Sequence, residues 1–136
     1  MAGFGGSKTD DHNWWEQAYQ GTFIYTRSWS TARYHYNFQI LHSPGGSLRG
    51  TAPGRTASSY SGNAVGDLFF YDWTSNGSID HVNIMVGHGT DPNSGWIGDY
   101  VDQHTTNRRH AFWSLWPYNS DASTTTIYIM RIYSSN

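Results

Sequence analysis

The chain has 136 residues, of which only 13% are charged while 17% are aromatic. Its formal net charge is -2 and it contains no block of Lys and Arg, so we expect no nucleic-acid partner, which clustered cations would have to neutralise. No run of about 18 or more apolar residues occurs, so we also expect no membrane span. One domain fits this length, and we predict that it covers residues 1–136, with residues 1–8 as a flexible lead-in.

The first part of the chain predicts short helices. Residues 9–21 have the pattern of a capped helix that Gly21 ends, and residues 28–41 predict a second helix, because aromatic and apolar residues recur near helical spacing. Residues 44–63 hold most of the Gly, Ser and Pro in the middle of the chain. We therefore predict a long loop there, which is either a surface loop or a functional flap.

Four strands are predicted after this loop, and they span residues 65–73, 81–86, 96–105 and 125–133. The first two strands form a hairpin around the turn Asn76-Gly77. Because side chains alternate across a strand, Val82 and Ile84 point to one face, which we assign to the core, while His81 points to the other. Helices that precede strands predict an α+β fold with a mainly antiparallel sheet.

Two histidines lie on neighbouring predicted strands. His81 begins the second strand and His104 lies near the end of the third, so the two rings can come close enough for one to orient the other. Such a pair is the base and its orienting group in a nucleophilic site. Each can also be explained as a histidine that bonds a buried backbone group. The chain has no cysteine, so neither a thiol nucleophile nor a disulfide can form within it.

Three motifs carry a resemblance to a known family. They are Gly-Asp-Leu-Phe-Phe-Tyr-Asp-Trp at residues 66–73, Asn-Gly-Ser-Ile-Asp-His-Val at residues 76–82 and Gln-His-Thr-Thr-Asn at residues 103–107. The sequence resembles the putative amidase domain of Gram-positive bacteria, a branch of the papain-like cell-wall peptidases and amidases. The resemblance covers most of the chain and is most specific in the hairpin. It implies a papain-like, mainly antiparallel sheet.

The resemblance also implies catalytic residues and a missing one. The family's catalytic histidine corresponds to His81, and its third, polar member corresponds to His104 or Gln103. The family's cysteine lies upstream, in a motif Asp-Cys-Thr-Asn-Phe-Val-Ser-Gln that opens the first helix of the fold, and no segment of this chain matches it. We therefore expect the later part of an amidase domain that lacks this helix. It would hydrolyse amides only if another chain supplied the cysteine, and it would be inactive alone.

Partners and alternatives follow from the missing helix. In papain-like folds that helix packs across the sheet, and a bare sheet face exposes an apolar patch. We expect a chain that carries the cysteine helix, or a second copy of this chain, to cover it. The alternatives are a non-catalytic binding or self-assembling module and an aromatic-rich glycan-binding β domain. The family further implies contact with peptidoglycan or another glycan, and an extracellular or cell-wall location with the signal peptide not present in this chain.

A second group of polar residues lies in the hairpin turn. Its members follow the spacing of a calcium loop, with a glycine at the sixth position: Asp72, Thr74, Asn76, Gly77 and Asp80. Asp72, Asn76 and Asp80 are the candidate ligands, and calcium is the one cofactor that the sequence suggests. The usual closing glutamate is absent, so the same residues are also explained as a plain hairpin turn without a metal.

Overall fold

A computed structural model describes residues 16–25, 31–41, 46–56, 62–103, 108–116 and 118–133. Within these ranges the elements, in chain order, are β1 (Glu16–Tyr19), β2 (Thr22–Tyr25), α1 (Ala32–Leu41), β3 (Gly46–Pro53), β4 (Leu68–Asp72), β5 (His81–Thr90), β6 (Ile97–Gln103), β7 (Arg108–Phe112), a short 3-10 turn (Ser120–Ser123) and β8 (Thr126–Ile132). Among the residues described, no helix is long and apolar enough to cross a bilayer.

Six of the strands form one sheet in the order β3-β8-β4-β5-β6-β7, and β1 and β2 form a separate hairpin. Every neighbouring pair in the large sheet is antiparallel. The predicted hairpin is β4 and β5, whose pairing brings Tyr71 opposite His81. A mainly antiparallel sheet with one helix confirms the α+β class.

Both faces of this sheet are covered, because alternate residues of β4 belong to different apolar clusters. On the helix face, Phe70 packs with α1, where the ring of Tyr36 meets it edge-on at 5.2 Å between centroids. On the opposite face, Phe69 stacks on Trp113 at 5.4 Å, and Tyr71 joins the same cluster. We call this second surface the groove face, and β4 is buried between the two.

The more deeply buried face of β5 is not the face that we assigned to the core. Asn83 and Met85 share the groove face with His81, and they are only 6% and 4% exposed. Ile84, on the predicted core face, is 44% exposed. The prediction was wrong because α1 leaves Ile84 uncovered, while the chain after β7 packs Trp113 onto the groove face. Alternation of side chains cannot tell which face is deeper when both carry apolar residues.

The predicted helix over residues 9–21 is wrong where the structure describes it. Its last residues form β1, which pairs with β2 as an antiparallel hairpin. Gln20 and Gly21 have φ values of 50° and 77°, as a two-residue hairpin turn requires. Residues 9–15, like the predicted lead-in at 1–8, lie outside the described residues. The second predicted helix is confirmed as α1, and its first residues, 28–30, also lie outside them.

The predicted loop over residues 44–63 is wrong in part, because it contains β3. This strand pairs with β8 and forms one edge of the sheet, with an irregularity between Leu48 and Gly50. Gly, Ser and Pro are typical of loops, but an edge strand has only one neighbour and tolerates them. The other edge strand, β7, was not predicted at all.

Candidate active site

A cavity of about 540 Å³ opens on the groove face, and we call it the groove. Its floor consists of side chains from three adjacent strands, β4, β5 and β6, which all point to this face: Tyr71, His81, Asn83, Val101 and Gln103. Its walls include Asp91, from the turn after β5, and Tyr118, from the segment after β7. The groove therefore gathers two of the predicted catalytic residues, His81 and Gln103, on the packed centre of the sheet, and the predicted metal ligand Asp80 also lines it.

His81 is half-buried in the groove, and its ring is fixed by its neighbours. Its Nε2 lies 3.2 Å from Oε1 of Gln103. Because an amide oxygen only accepts hydrogen bonds, this contact places the proton on Nε2 and leaves the lone pair on Nδ1. Trp73 stacks on the imidazole, with centroids 5.7 Å apart and planes at 22°, and Tyr71 lies 5.9 Å away. The ring has the tautomer of a general base that acts through Nδ1.

One of the two candidates for the orienting residue, Gln103, lies against His81 in the structure. Gln103 ends β6, and the register between β5 and β6 puts it next to Asn83, diagonal to His81. His104 lies outside the described residues. The contact between His81 and Gln103 belongs to the structure, while the catalytic roles of His81, Gln103 and His104 stay predictions.

Every hydroxyl that lines the groove in the described part of the chain already donates to another protein group. The pairs are Tyr71 to the carbonyl of Trp113 at 2.8 Å, Ser114 to the carbonyl of Gly54 at 3.2 Å, and Tyr118 to the carboxylate of Asp91. Burial raises the pKa of Tyr71, so its phenol stays protonated. None of these hydroxyls is therefore free to act as the nucleophile.

Asn83 is a groove residue that sequence reasoning missed. It is 6% exposed, its side chain hydrogen-bonds Tyr71, and its Oδ1 has no hydrogen-bond partner. Buried oxygens without a partner are rare in proteins. The available signal was an asparagine in a strand of Val, Ile and Met, where asparagine is disfavoured.

Asp91 makes one wall of the groove negative. Its buried carboxylate accepts hydrogen bonds from the backbone N–H and hydroxyl of Ser94 and from the hydroxyl of Tyr118. Burial alone would raise the pKa of Asp91, but these hydrogen bonds outweigh burial and lower the pKa below its ordinary value. The carboxylate is therefore charged at neutral pH. In the sequence, Asp-Pro-Asn-Ser-Gly indicates only a turn.

The candidate calcium ligands hold the hairpin turn through backbone N–H groups. Asp72 is fully buried and accepts from Asn76 and Gly77 at 3.1 and 2.7 Å. Asp80 accepts the N–H of Trp73 at 3.0 Å, and Asn76 accepts a nearby N–H at 2.8 Å. The described residues contain no group of three His, Cys, Asp or Glu side chains suited to a metal. Calcium binding at this turn stays a prediction.

The fold and the groove define a class of protein, an α+β domain whose antiparallel sheet presents a histidine that is hydrogen-bonded to a glutamine amide. Hydrolases that activate a nucleophile with a base use such a pair. A family model described as Putative amidase domain matches residues 1–129, so the chain belongs to this family. No curated protein and no solved structure is significantly similar to the chain. Membership confirms the amidase resemblance carried by the hairpin motifs.

Proposed function

We propose that the groove is the histidine half of a papain-like amidase site, and that the chain hydrolyses amide bonds only when another chain supplies the cysteine. The hydrogen bond between His81 and Gln103 in the groove carries this proposal. Membership of the amidase family, the lack of cysteine and the engaged groove hydroxyls support it. The chain alone is expected to be inactive. Peptidoglycan peptides, outside the cell or in its wall, are the expected substrates.

The proposed reaction has two stages, in which the amide bond is broken and the resulting thioester is hydrolysed. The supplied thiol gives its proton to Nδ1 of His81, and the thiolate attacks the carbonyl carbon of the amide. Gln103 stabilises the imidazolium because its oxygen accepts a hydrogen bond from the Nε2–H group. The imidazolium then protonates the leaving nitrogen as the C–N bond breaks and a thioester forms. Water, deprotonated by the same histidine, hydrolyses the thioester and restores the thiol.

The test combines the chain with a synthetic helix peptide that contains Asp-Cys-Thr-Asn-Phe-Val-Ser-Gln. Cleavage of peptidoglycan stem peptides, followed by mass spectrometry, is expected only when both polypeptides are present. A helix peptide with serine in place of cysteine is expected to give none. His81→Gln should lower the rate at least about 100-fold, since a general base contributes that much or more.

His110→Gln is the matched control, because His110 is also a histidine at the groove but is exposed. This variant should keep the rate of the unmodified chain. Hydrolysis by the chain without the cysteine peptide would overturn the proposal. So would equal losses in the His81 and His110 variants.

A non-catalytic, associating module is the second candidate, and exposed apolar side chains favour it. In the described part of the chain Leu41, Val65 and Ile84 are 65%, 70% and 44% exposed. Such a module would form a stable oligomer in light scattering and would cleave nothing with the cysteine peptide. The glycan-binding alternative has less support, since Trp116, at 43%, is the one described tryptophan that is strongly exposed.

A further inference from the structure

We infer that a second cavity, beside Arg55 and Trp116, binds a carboxylate of the peptide substrate. This cavity has a volume of about 280 Å³, and we call it the Arg55 pocket. The residues that line it are Arg55, Trp116, Asn119, Ser120, Ala122 and Ser123. The inference rests on the proposed amidase groove and names a charged group that its substrates carry.

Arg55 is an exposed arginine whose guanidinium is held by an aromatic ring. Its Cζ lies 4.7 Å from the centroid of the Trp116 ring, within the range of a cation–π contact. The N–H groups of a guanidinium are hydrogen-bond donors, and a cation–π contact supplies no oxygen to accept from them. Among the described residues, no carboxylate forms an ion pair with Arg55. The side chain is therefore a positioned cation without an anionic partner in this part of the chain.

Backbone hydrogen bonds join the segments that carry the two side chains. The N–H of Leu115 donates to the carbonyl of Gly54 at 2.9 Å, so the residues just before Arg55 and Trp116 are in direct contact. Gly54 in turn donates its N–H to the carbonyl of Thr125 at 2.9 Å, close to the 3-10 turn that supplies the serines of the pocket. The Arg55 pocket is therefore formed by three segments that are fixed to one another.

The Arg55 pocket adjoins the groove, because Asn119 lines both cavities. The 3-10 turn is also connected to the histidine of the groove. Thr124, which follows the turn, donates its hydroxyl to the carbonyl of Trp73 at 2.8 Å, and Trp73 stacks on His81. A peptide whose scissile amide lies beside His81 can therefore extend past Asn119 into the Arg55 pocket.

The charges of the two cavities favour a carboxylate at Arg55. Among the described residues, those that line the groove include Asp80 and Asp91 but no Lys or Arg, whereas those that line the Arg55 pocket include no Asp or Glu. An anionic group is therefore repelled by the groove and attracted by the guanidinium. The planar guanidinium can bind a carboxylate through two parallel hydrogen bonds, and the hydroxyls of Ser120 and Ser123 are further donors in the same cavity.

Two probes that differ in one charge test the inference on the chain alone. The isotope-labelled chain is titrated with N-acetyl-L-alanyl-D-alanine, which has a free carboxylate, and with its C-terminal amide. The signals of the Arg55 Nε–H and the Trp116 indole N–H are followed by NMR. The free carboxylate is expected to bind at least about tenfold more tightly, because charge-assisted hydrogen bonds are the stronger kind.

Variants assign this preference to the guanidinium. Arg55→Gln removes the charge, so the preference for the free carboxylate should fall to about onefold. Arg55→Lys keeps the charge but loses the planar pair of donors, so it should retain only part of the preference. Arg49→Gln is the matched control, since Arg49 is also an exposed arginine but lines neither cavity, and it should behave like the unmodified chain. The Trp116 signal reports binding in all three variants.

Equal affinity of the unmodified chain for the two probes, or no saturable shift with the free carboxylate, would overturn the inference whether or not the variants fold. A preference that survives in Arg55→Gln would do the same, and so would inorganic phosphate that binds as tightly as the peptide. The two proposals fail separately. Carboxylate binding is measured without the cysteine peptide, so it stands even if that peptide yields no hydrolysis. Cleavage with equal KM for acid and amide peptides would keep the amidase proposal and remove this one.

Discussion

The two faces of the sheet differ in the kind of contacts they bury, and two neighbouring residues of β4 allow a direct comparison. Phe70 and Tyr71 are 0% and 1% exposed. On the helix face, Phe70 packs in an apolar cluster and meets the rings of His35 at 5.5 Å and Tyr36 at 5.2 Å, both edge-on. On the groove face, the hydroxyl of Tyr71 takes part in a polar network that includes Asn83.

This difference separates a face that is closed by packing from a face that keeps a cavity. The helix face is closed by apolar and aromatic packing, which stabilises the fold through buried area. The groove face keeps an oxygen of Asn83 unpaired and the charge of Asp91 close to the cavity. An unpaired buried acceptor destabilises a domain, so we expect the groove face to contribute less to stability than the helix face.

The largest expected effect is on the helix face. Phe70→Ala should lower the free energy of unfolding by about 3–5 kcal/mol, because it leaves a cavity between β4 and α1. Urea denaturation measures this loss. Ile84→Ala, on the same face but 44% exposed, should lose less than about 1 kcal/mol. Similar losses for the two variants would mean that the helix face is not the packed core described above.

The fold was predictable where the local signals agreed. The β4–β5 hairpin combines an Asn-Gly turn with apolar flanks, and both signals come from residues that are close in sequence. The helix prediction for residues 16–19 was wrong because the spacing of their apolar residues fits a helix. The hairpin depends instead on the positive φ values of Gln20 and Gly21. The strand β3 was not predicted because its sequence is rich in Gly and Ser, and it forms a strand through its pairing with β8.

The candidate site was predictable only in its histidine. His81 was found through the motif around it, and the two candidates for its partner were adjacent residues that the sequence could not separate. The choice depends on which side chain β6 turns toward β5, which is a matter of register. Asn83 and Asp91 were missed because their neighbours in the groove are distant in sequence. Asn83 contacts Tyr71, and Asp91 accepts a hydrogen bond from Tyr118.

The next largest expected effect is a dependence of stability on pH, and it arises from His35 on the helix face. Burial lowers the pKa of His35 from 6.5 to about 4. Below pH 6.5 the unfolded chain takes up a proton at His35, while the folded chain stays neutral there until about pH 4. The unfolded state thus binds more protons in this window, so stability falls as the pH drops through it. The loss is at most about 3.5 kcal/mol, at about 1.4 kcal/mol per pKa unit.

Urea unfolding across this window measures the effect as a slope. His35→Gln should flatten the decrease in stability between pH 6.5 and pH 4, whatever its effect at neutral pH. His110→Gln, an exposed histidine on β7, should leave the slope unchanged. An unchanged slope in the His35 variant would show that the helix face does not keep this ring neutral.

The smallest expected effect on stability comes from removing one hydroxyl oxygen, that of Tyr71 on the groove face. Tyr71→Phe removes the hydroxyl that joins Trp113 to Asn83, and the unpaired groups left behind should lower the free energy of unfolding by about 1–3 kcal/mol. Tyr128→Phe is the matched control on the helix face, where the ring packs 5.5 Å from Tyr36 and its hydroxyl makes no described hydrogen bond. It should change stability by less than about 0.5 kcal/mol.

Urea unfolding of the two variants measures the difference. Equal losses for Tyr71→Phe and Tyr128→Phe would show that the hydrogen bond from the Tyr71 hydroxyl to the carbonyl of Trp113 does not stabilise the groove face.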